Sequence, residues 1–355
     1  MSIGPLGELG PAAGFEAVTL ENGLARVTVL PGKGADIYAL TYMPQGLDVL
    51  WKSPWGLRPP AQTIATASNS LVAWMDHYEG GWQEIFPSGG GPAVVDGIEH
   101  SFHGESTAVS WHYRVVEPAG EQCIVHFWVR LARSPLFLER TMILVADSPV
   151  LTLRERLVNE GPAAFDLMWG HHPAYGAPFI EDGCIVDVPA STFIANDPQV
   201  SPDSLLTDGG RCEWPLAAGR AGGQVDMSRV VGPERRVSNF GCLENLREGW
   251  YAITNPRLGF GVGMTFPRDI FRHLWFWQEF GGSSGTPWFR RCYVMALEPF
   301  TSWPGAGLAV ARERGTARVL EAGQALEATV RFVFFDSTSG VERIDADGTV
   351  HLIGK

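Results

Sequence analysis

Three short segments of this sequence place a side chain that can carry a proton beside glycine, proline or aromatic residues. They are Gly80–Pro87 followed by His103-Gly104-Glu105, then Trp169–Gly176, and then Ala296–Phe300. Within them, the imidazole of His172 and the carboxyl of Glu298 are suited to general acid and base work near neutral pH. His172 precedes a proline, which favours extended backbone, and Glu298 follows an apolar run whose burial would shift its pKa. These segments therefore predict a site for proton transfer.

The elements that must position these residues show a period-two alternation, which is typical of β-strands. The candidate strands are Ala25–Leu30, Ile37–Tyr42, Cys123–Leu131, Thr141–Val145, Leu151–Val158, Phe260–Phe266, Tyr293–Leu297 and Thr329–Phe334. Leu138–Ala146 and Pro149–Val158, separated by Asp147-Ser148, indicate a hairpin. Because no long stretch keeps apolar residues at helical spacing, we expect an all-β fold with few short helices.

Composition excludes several classes of partner. The 355 residues carry a net charge of −12 with no basic run, which argues against nucleic acid and anionic membrane surfaces. There is no apolar window of about 18 residues to span a membrane, and the N-terminus does not resemble a secretory signal. The five cysteines are scattered and form no C-x-x-C pair. We therefore expect reduced thiols and a cytoplasmic protein.

The length allows two domains, but one large β-sheet stack can also absorb it. Residues 198–228 are rich in Pro, Gly, Asp and Ser, while the sequence on both sides has strand character. We expect a single domain over residues 1–355, with a surface excursion around 198–228.

Four motifs, in their order along the chain, resemble those of the galactose mutarotase-like superfamily, specifically proteins related to aldose 1-epimerase. They are Gly81-Trp82 through Phe86-Pro87, His103-Gly104, His172-Pro173-Ala174-Tyr175, and Leu297-Glu298-Pro299. The resemblance covers most of the chain and begins at Leu20–Leu24 and Leu30–Ile37. It implies a large twisted antiparallel β-sandwich with an open concave face that holds a monosaccharide.

The resemblance also implies roles for individual residues. His172 would be the general acid and Glu298 the general base of an aldose 1-epimerase, which interconverts the α and β anomers of a free sugar by opening and closing its ring. His103 would bind the sugar near the reacting oxygens. No metal or organic cofactor is expected, since one acid and one base suffice.

Further substrate contacts are expected from the same segments. Trp82, Trp275 and Trp277 are candidates for a wall on which the sugar stacks, and Gln83 and Gln278 are candidate polar contacts. The family's sugar-binding aspartate and its Asn-Arg pair have no counterpart here; Phe271–Glu279 and Trp74–His77 stand in those regions.

His171 competes with His172 for the catalytic position. Neighbouring strand residues face opposite sides of a sheet, so only one of them can reach the site. The motif favours His172.

Other functions stay open at this stage. A non-catalytic carbohydrate-binding or regulatory protein would keep the aromatic wall alone. A glycoside hydrolase or lyase would pair Glu84 or Glu105 with Glu298, since hydrolysis needs carboxyl groups roughly 5–9.5 Å apart.

Two further hypotheses concern the ligand, which could be a metal ion or a phosphorylated sugar. His100, His103 and Glu105 have a spacing that can supply a metal site, although His100 would face away from the other two on one strand. A phosphosugar would need cationic partners such as Arg58, Arg290 or Arg291.

Overall fold

A computed structural model describes residues 2–5, 14–58, 69–195 and 203–354. In its first half the strands are β1 Ser2–Pro5, β2 Glu16–Glu21, β3 Ala25–Leu30, β4 Asp36–Tyr42, β5 Leu47–Asp48, β6 Trp82–Ile85, β7 Ala93–Val95, β8 Ile98–His100, β9 His112–Glu117, β10 Gln122–Arg130, β11 Leu136–Val145, β12 Val150–Asn159, β13 Phe165–Leu167 and β14 Gly170–Gly176. In its second half they are β15 Ile185–Asp187, β16 Thr192–Ala195, β17 Arg211–Glu213, β18 Leu216–Ala218, β19 Gln224–Asp226, β20 Val237–Glu244, β21 Trp250–Asn255, β22 Phe260–Thr265, β23 His273–Phe280, β24 Tyr293–Phe300, β25 Arg318–Leu320, β26 Ala325–Asp336, β27 Val341–Ile344 and β28 Val350–Leu352.

Helices are few and short. They are α1 Ser70–Asp76, α2 Leu308–Glu313 and the 3₁₀ turns Ser106–Ala108 and Pro233–Arg235. Among the described residues, no helix is long and apolar enough to cross a membrane. The predicted all-β class with few short helices is confirmed.

Two antiparallel sheets dominate the fold. The larger has 12 strands in the order β1-β2-β3-β4-β6-β14-β24-β23-β20-β16-β17, with β5 paired to β4. The smaller has eight strands in the order β15-β21-β22-β26-β12-β11-β10-β9. Their inner faces share one hydrophobic core, in which Val27 and Leu40 of the larger sheet meet Leu153 and Phe332 of the smaller. The molecule is therefore a β-sandwich, as the resemblance implied.

The central strands of the larger sheet place alternate side chains on its two faces. Gln83 lies opposite His172 in the β6–β14 pair, and Trp275 lies opposite Glu298 in the β23–β24 pair. These residues occupy the outer face, away from the smaller sheet. Trp82 occupies the inner face, where its ring lies 6.1 Å from that of Phe332.

The predicted strands agree closely with the structure, and one difference matters for the site. Strand β3 has the predicted bounds, and β11 and β12 form the predicted hairpin. Strand β24 continues to Phe300 rather than ending at Leu297. Glu298 therefore lies within the sheet and not at its rim, because hydrogen bonding to β23 extends past it.

The predicted excursion around 198–228 is only partly described. Residues 198–202 lie outside the described part of the chain. The remainder carries β17, which joins the larger sheet, and the β18–β19 hairpin. Leu206, Ala217 and Met227 pack into the main core. The single-domain interpretation stays a prediction.

Candidate active site

The structure brings His172 and Glu298 together on neighbouring strands. His172 Nε2 lies 3.7 Å from Glu298 Oε1, and the two residues are 5% and 2% exposed. Strand β14 is buried at all seven positions, so the imidazole is held rigidly against the sheet. An acid and a base at this separation can contact neighbouring oxygen atoms of one small molecule.

The pair lies in a cleft of about 470 Å³ on the outer face of the larger sheet. This volume is within the range of small-molecule sites. The aromatic residues of its lining are Trp74, Tyr78, Phe102, Phe240, Trp275, Trp277 and Trp288. Its polar side chains, besides His172 and Glu298, are His103, Asp203, Ser238, Glu279, Ser283 and Thr286. Aromatic faces with a few polar groups suit a ligand that has both C–H surfaces and hydroxyls.

His103 reaches the cleft from a tight turn. Its backbone has a φ of 54°, and Gly104, with a φ of 72°, lies so close to the Phe86 carbonyl that a Cβ there would collide with it. Nδ1 of His103 accepts a hydrogen bond of 3.0 Å from the Gly90 N–H. In the neutral ring the proton is therefore on Nε2. The His103 ring lies 5.4 Å from that of His172.

Burial sets the protonation of the site. It lowers the pKa of His172 to about 4 and raises that of Glu298 well above its usual range. It also lowers the pKa of His103 well below its usual range, and the neighbouring His172 lowers it further. Burial thus favours the neutral form of both imidazoles and of the Glu298 carboxyl. Nδ1 of His172 has no hydrogen-bond partner in the described structure.

Eight residues are predicted from the sequence to form the site. The structure brings five of them to the cleft: His172, Glu298, His103, Trp275 and Trp277. Trp82, Gln83 and Gln278 do not line it.

Trp82 lies in the hydrophobic core, 1% exposed. Gln278 alternates with the cleft residue Trp277 and accepts a hydrogen bond of 3.2 Å from Asn239. Gln83 shares the face of His172 but donates to the Gly80 carbonyl at 2.7 Å. Trp82 and Gln278 thus make contacts within the fold, while the Oε1 of Gln83 has no hydrogen-bond partner in the described structure.

The two adjacent histidines face opposite sides, as the strand period requires. His171 lies on the inner face, where its Nε2 is 3.2 Å from Glu155 of the smaller sheet. The Trp82 indole donates to its Nδ1 at 3.3 Å. Since Nδ1 accepts, the proton of the neutral ring is on Nε2 and points at Glu155. This arrangement leaves His171 no free nitrogen for a metal, although Glu84, Glu155 and His171 lie close together.

The other arrangements considered from the sequence do not assemble at the cleft. Glu105 accepts hydrogen bonds from the backbone of Ala132 and Arg133, and His100 packs near Phe165, so His100, His103 and Glu105 do not converge.

Glu84 lies on the inner face, where it binds the Trp169 indole at 2.9 Å. Neither Glu84 nor Glu105 lines the cleft, so neither faces Glu298 across it.

Several lining residues were not predicted individually as site residues, although Trp74 and Glu279 belong to segments that the sequence placed in the site region. Trp74 and Tyr78 come from helix α1 and the turn after it, where the helix is too short to show a periodic pattern. Glu279 accepts hydrogen bonds from Ser283 through both its N–H and its hydroxyl. The Trp74–His77 region departs from strand alternation, and this departure could have indicated that its residues reach the site from outside the sheet.

Comparisons with known proteins agree with this architecture. Residues 12–333 match the model of a family described as a domain of unknown function, DUF4432. No curated protein matches the chain.

Among solved structures, a provisionally assigned aldose 1-epimerase from Klebsiella pneumoniae is similar with a TM-score of 0.73 and 17% identity, over 93% of this chain and 82% of that one. A galactose mutarotase-like protein from Clostridium acetobutylicum has a TM-score of 0.61 and 13% identity, over 91% of this chain and 96% of that one. A galactose mutarotase-like protein from Lactobacillus casei has a TM-score of 0.60 and 14% identity, over 90% of this chain and 100% of that one. At these identities the likeness shows the fold, and it confirms the fold that the sequence motifs implied.

Proposed function

This chain belongs to the DUF4432 family, and from that premise we propose that it is an aldose 1-epimerase-like enzyme, which interconverts the α and β anomers of a free sugar. The observation that carries the proposal is the His172–Glu298 pair, 3.7 Å apart in an aromatic cleft. Ring opening needs one group to take the proton of the anomeric hydroxyl and another to protonate the ring oxygen. The pair supplies both.

The pKa directions suggest where the cycle begins. Since burial favours the neutral forms of Glu298 and His172, the proposed cycle begins with Glu298 delivering a proton to the ring oxygen while His172 Nε2 takes the proton of the anomeric hydroxyl. The bond between C1 and the ring oxygen breaks and an aldehyde forms. C1 then turns about the C1–C2 bond, and the two transfers run backwards to close the other anomer.

This start is the reverse of the one that the family resemblance implies. Both directions alternate between the same two states of the pair: neutral His172 with protonated Glu298, and protonated His172 with ionised Glu298. Each half-cycle converts one state into the other, because it moves one proton between the two residues through the sugar. General acid and general base effects are each worth about 10²–10⁴-fold. Trp277, which is partly exposed in the cleft, offers an apolar face to the sugar ring, and the Nε2–H of His103 offers a donor to a hydroxyl.

The charge of the cleft favours an unphosphorylated sugar. Among the described residues, its lining holds the carboxyl groups of Asp203, Glu279 and Glu298 and no lysine or arginine. Residues 59–68 and 196–202, outside the described structure, contain no lysine or arginine either. Arg58, Arg290 and Arg291, considered above as phosphate partners, are exposed and do not line the cleft. An anionic substrate would therefore meet repulsion without a cationic partner.

The test is anomer exchange measured by NMR on a panel of free aldoses. Wild-type protein is expected to accelerate exchange of at least one of them, and His172→Asn and Glu298→Gln are expected to abolish the acceleration. The matched controls are His126→Asn and Glu139→Gln, since this partly exposed His–Glu pair lies at 3.6 Å on the smaller sheet, away from the cleft. No acceleration for any aldose refutes the proposal. Binding of a sugar without exchange would instead identify a carbohydrate-binding protein.

A further inference from the structure

Tyr78 carries a buried hydroxyl that the fold itself does not use. The residue lines the cleft and is 1% exposed, yet its hydroxyl has no hydrogen-bond partner in the described structure. Leaving a buried hydroxyl unpaired is costly, so such a group calls for an explanation outside ordinary packing. Tyr175 offers the contrast: its hydroxyl is equally buried but pairs with that of Tyr251 at 2.7 Å.

The Tyr78 ring is held beside the reacting pair. It stacks on Trp74 with the ring centres 4.4 Å apart and meets His172 edge-on at 5.8 Å. The next residue, Glu79, is anchored by Lys33 at 2.7 Å. Gly80 follows with a φ of 89°, and a Cβ there would collide with the Trp51 carbonyl. The backbone around Tyr78 is therefore fixed on both the helix side and the strand side.

Electrostatics places the hydroxyl within the influence of Glu298. Burial raises the pKa of Tyr78 well above its usual range, and negative charge on Glu298 is the next largest cause, ahead of Glu79. The phenol consequently stays protonated near neutral pH. It can serve as a neutral hydrogen-bond donor and not as a base.

We propose that Tyr78 is a positioning residue for Glu298, and that its hydroxyl donates a hydrogen bond to this carboxyl in the state in which Glu298 has given its proton to the sugar. This inference rests on the proposed function. In that state Glu298 is a buried carboxylate whose counter-charge is the protonated His172, 3.7 Å away and beyond good hydrogen-bond range. No lysine or arginine lines the described cleft to donate a further hydrogen bond to it. A hydrogen bond from a neutral donor to a charged acceptor is stronger than a hydrogen bond between two neutral groups. The Tyr78 hydroxyl, unpaired in the described structure, is thus available as a donor for this one step of the cycle.

The test compares Tyr78→Phe with Tyr175→Phe. We expect Tyr78→Phe to lower kcat by about 10- to 100-fold, because it removes a hydrogen bond to a charge that develops during the reaction. Its Tm should stay level or rise, because the lost hydroxyl had no partner. Tyr175→Phe should lower the Tm, because it leaves the Tyr251 hydroxyl unpaired in the core.

The pH profile separates this role from a structural one. The alkaline limb of kcat reports loss of the Glu298 proton. Without the Tyr78 donor, the Glu298 anion is less stable and the limb moves to higher pH in Tyr78→Phe, while it stays in place in Tyr175→Phe. An unchanged kcat with an unmoved limb overturns the proposal. So does a fall in activity that comes with a lower Tm and no movement of the limb.

A direct titration keeps the inference testable if the wild-type protein exchanges no anomers. The carboxyl ¹³C signal of Glu298, identified by its loss in Glu298→Gln, is followed against pH by NMR. A higher pKa in Tyr78→Phe than in wild type supports the contact between the two groups even where the epimerase proposal has failed. An identical pKa in both proteins overturns it.

Discussion

Two consecutive histidines of strand β14 each stand beside a glutamate, but the two pairs differ in what surrounds them. In the core, His171 lies 3.2 Å from Glu155 and also accepts from the Trp82 indole, so both of its ring nitrogens are engaged. In the cleft, His172 lies 3.7 Å from Glu298, beyond good hydrogen-bond range, and its Nδ1 has no partner in the described structure.

Burial lowers the pKa of both histidines to about 4, so the pKa does not distinguish them. The distinction is the availability of partners. A pair whose imidazole has both nitrogens engaged in the core stabilises the sandwich, whereas a pair whose imidazole keeps a free nitrogen beside a cavity can act on a ligand. The core pair should therefore govern stability and the cleft pair activity.

The largest effect on activity is expected for His172→Asn, which tests whether the cleft pair governs activity and not stability. Loss of one proton-transfer partner is expected to reduce anomer exchange by about 10²–10⁴-fold. The Tm should stay near that of wild type, because the ring has no strong hydrogen bond to lose. Anomer exchange and thermal unfolding, measured on one preparation, check the expected loss of rate and the expected unchanged Tm. A variant that keeps its rate but loses stability would reverse the assignment of the two pairs.

The counterpart on the core side is His171→Leu. It leaves the Trp82 indole N–H and the Glu155 carboxyl without their partner, at about 1–3 kcal/mol for each group left unsatisfied. Urea unfolding should show this loss in the free energy of unfolding. The fraction that remains folded is expected to exchange anomers at the wild-type rate. A large loss of rate with unchanged stability would contradict the comparison.

The pH dependence of stability sharpens the contrast further. Burial raises the pKa of Glu84 and Glu155 to about 7, from an ordinary value of 4.5. The folded state therefore binds more protons between these values, and the free energy of unfolding falls as the pH rises through them. The lowered pKa of His171 acts in the opposite sense, since its contribution is lost as the pH falls from 6.5 to about 4.

Glu155→Gln isolates the carboxyl contribution. The fall in the free energy of unfolding between pH 4.5 and 7 should be shallower in this variant than in wild type. Urea unfolding at several pH values measures the slope. Glu139→Gln, on the partly exposed His126–Glu139 pair, serves as the control for the substitution itself. Equal slopes in Glu155→Gln and wild type would show that this carboxyl does not titrate with folding.

The smallest effect is expected at that third pair. His126 and Glu139 stand 3.6 Å apart with side chains 23% and 34% exposed. Water screens them, so His126→Asn should change the free energy of unfolding by less than about 1 kcal/mol and leave anomer exchange unaltered. A larger change in either quantity would show that the distance between the two side chains, and not their surroundings, sets the contribution of a His–Glu pair. The contrast between the core pair and the cleft pair would then be wrong.

The sequence predicted strands best where one face of a sheet meets solvent. Strand β10 shows strict alternation of buried and partly exposed residues, and its predicted bounds differ from the observed ones by one residue at each end. Strand β14 is buried throughout, because loops and aromatic residues cover its outer face as well. There the period-two signal disappears, and no pattern of hydrophobicity says which face is the core.

That loss of signal explains the unequal outcome for the site residues. Motif order pointed to His172 and Glu298, which the structure brings together, while Trp82 and Gln278 were assigned to the site from their segments alone. Strand alternation placed both on the inner face. Tyr78 was missed, and Trp74 was named only as part of a segment, because a short helix and a turn bring them to the cleft from outside the sheet.

The sequence by itself determined the β-rich character, the strand positions and the presence of a candidate acid and base within buried strands, because these follow from residue types and local period. The motif resemblance favoured His172 over His171, but only the tertiary structure decided which glutamate meets each histidine. Those pairings join strands β14, β24 and β12 from distant parts of the chain. They depend on how two sheets stack, and local sequence carries no record of that.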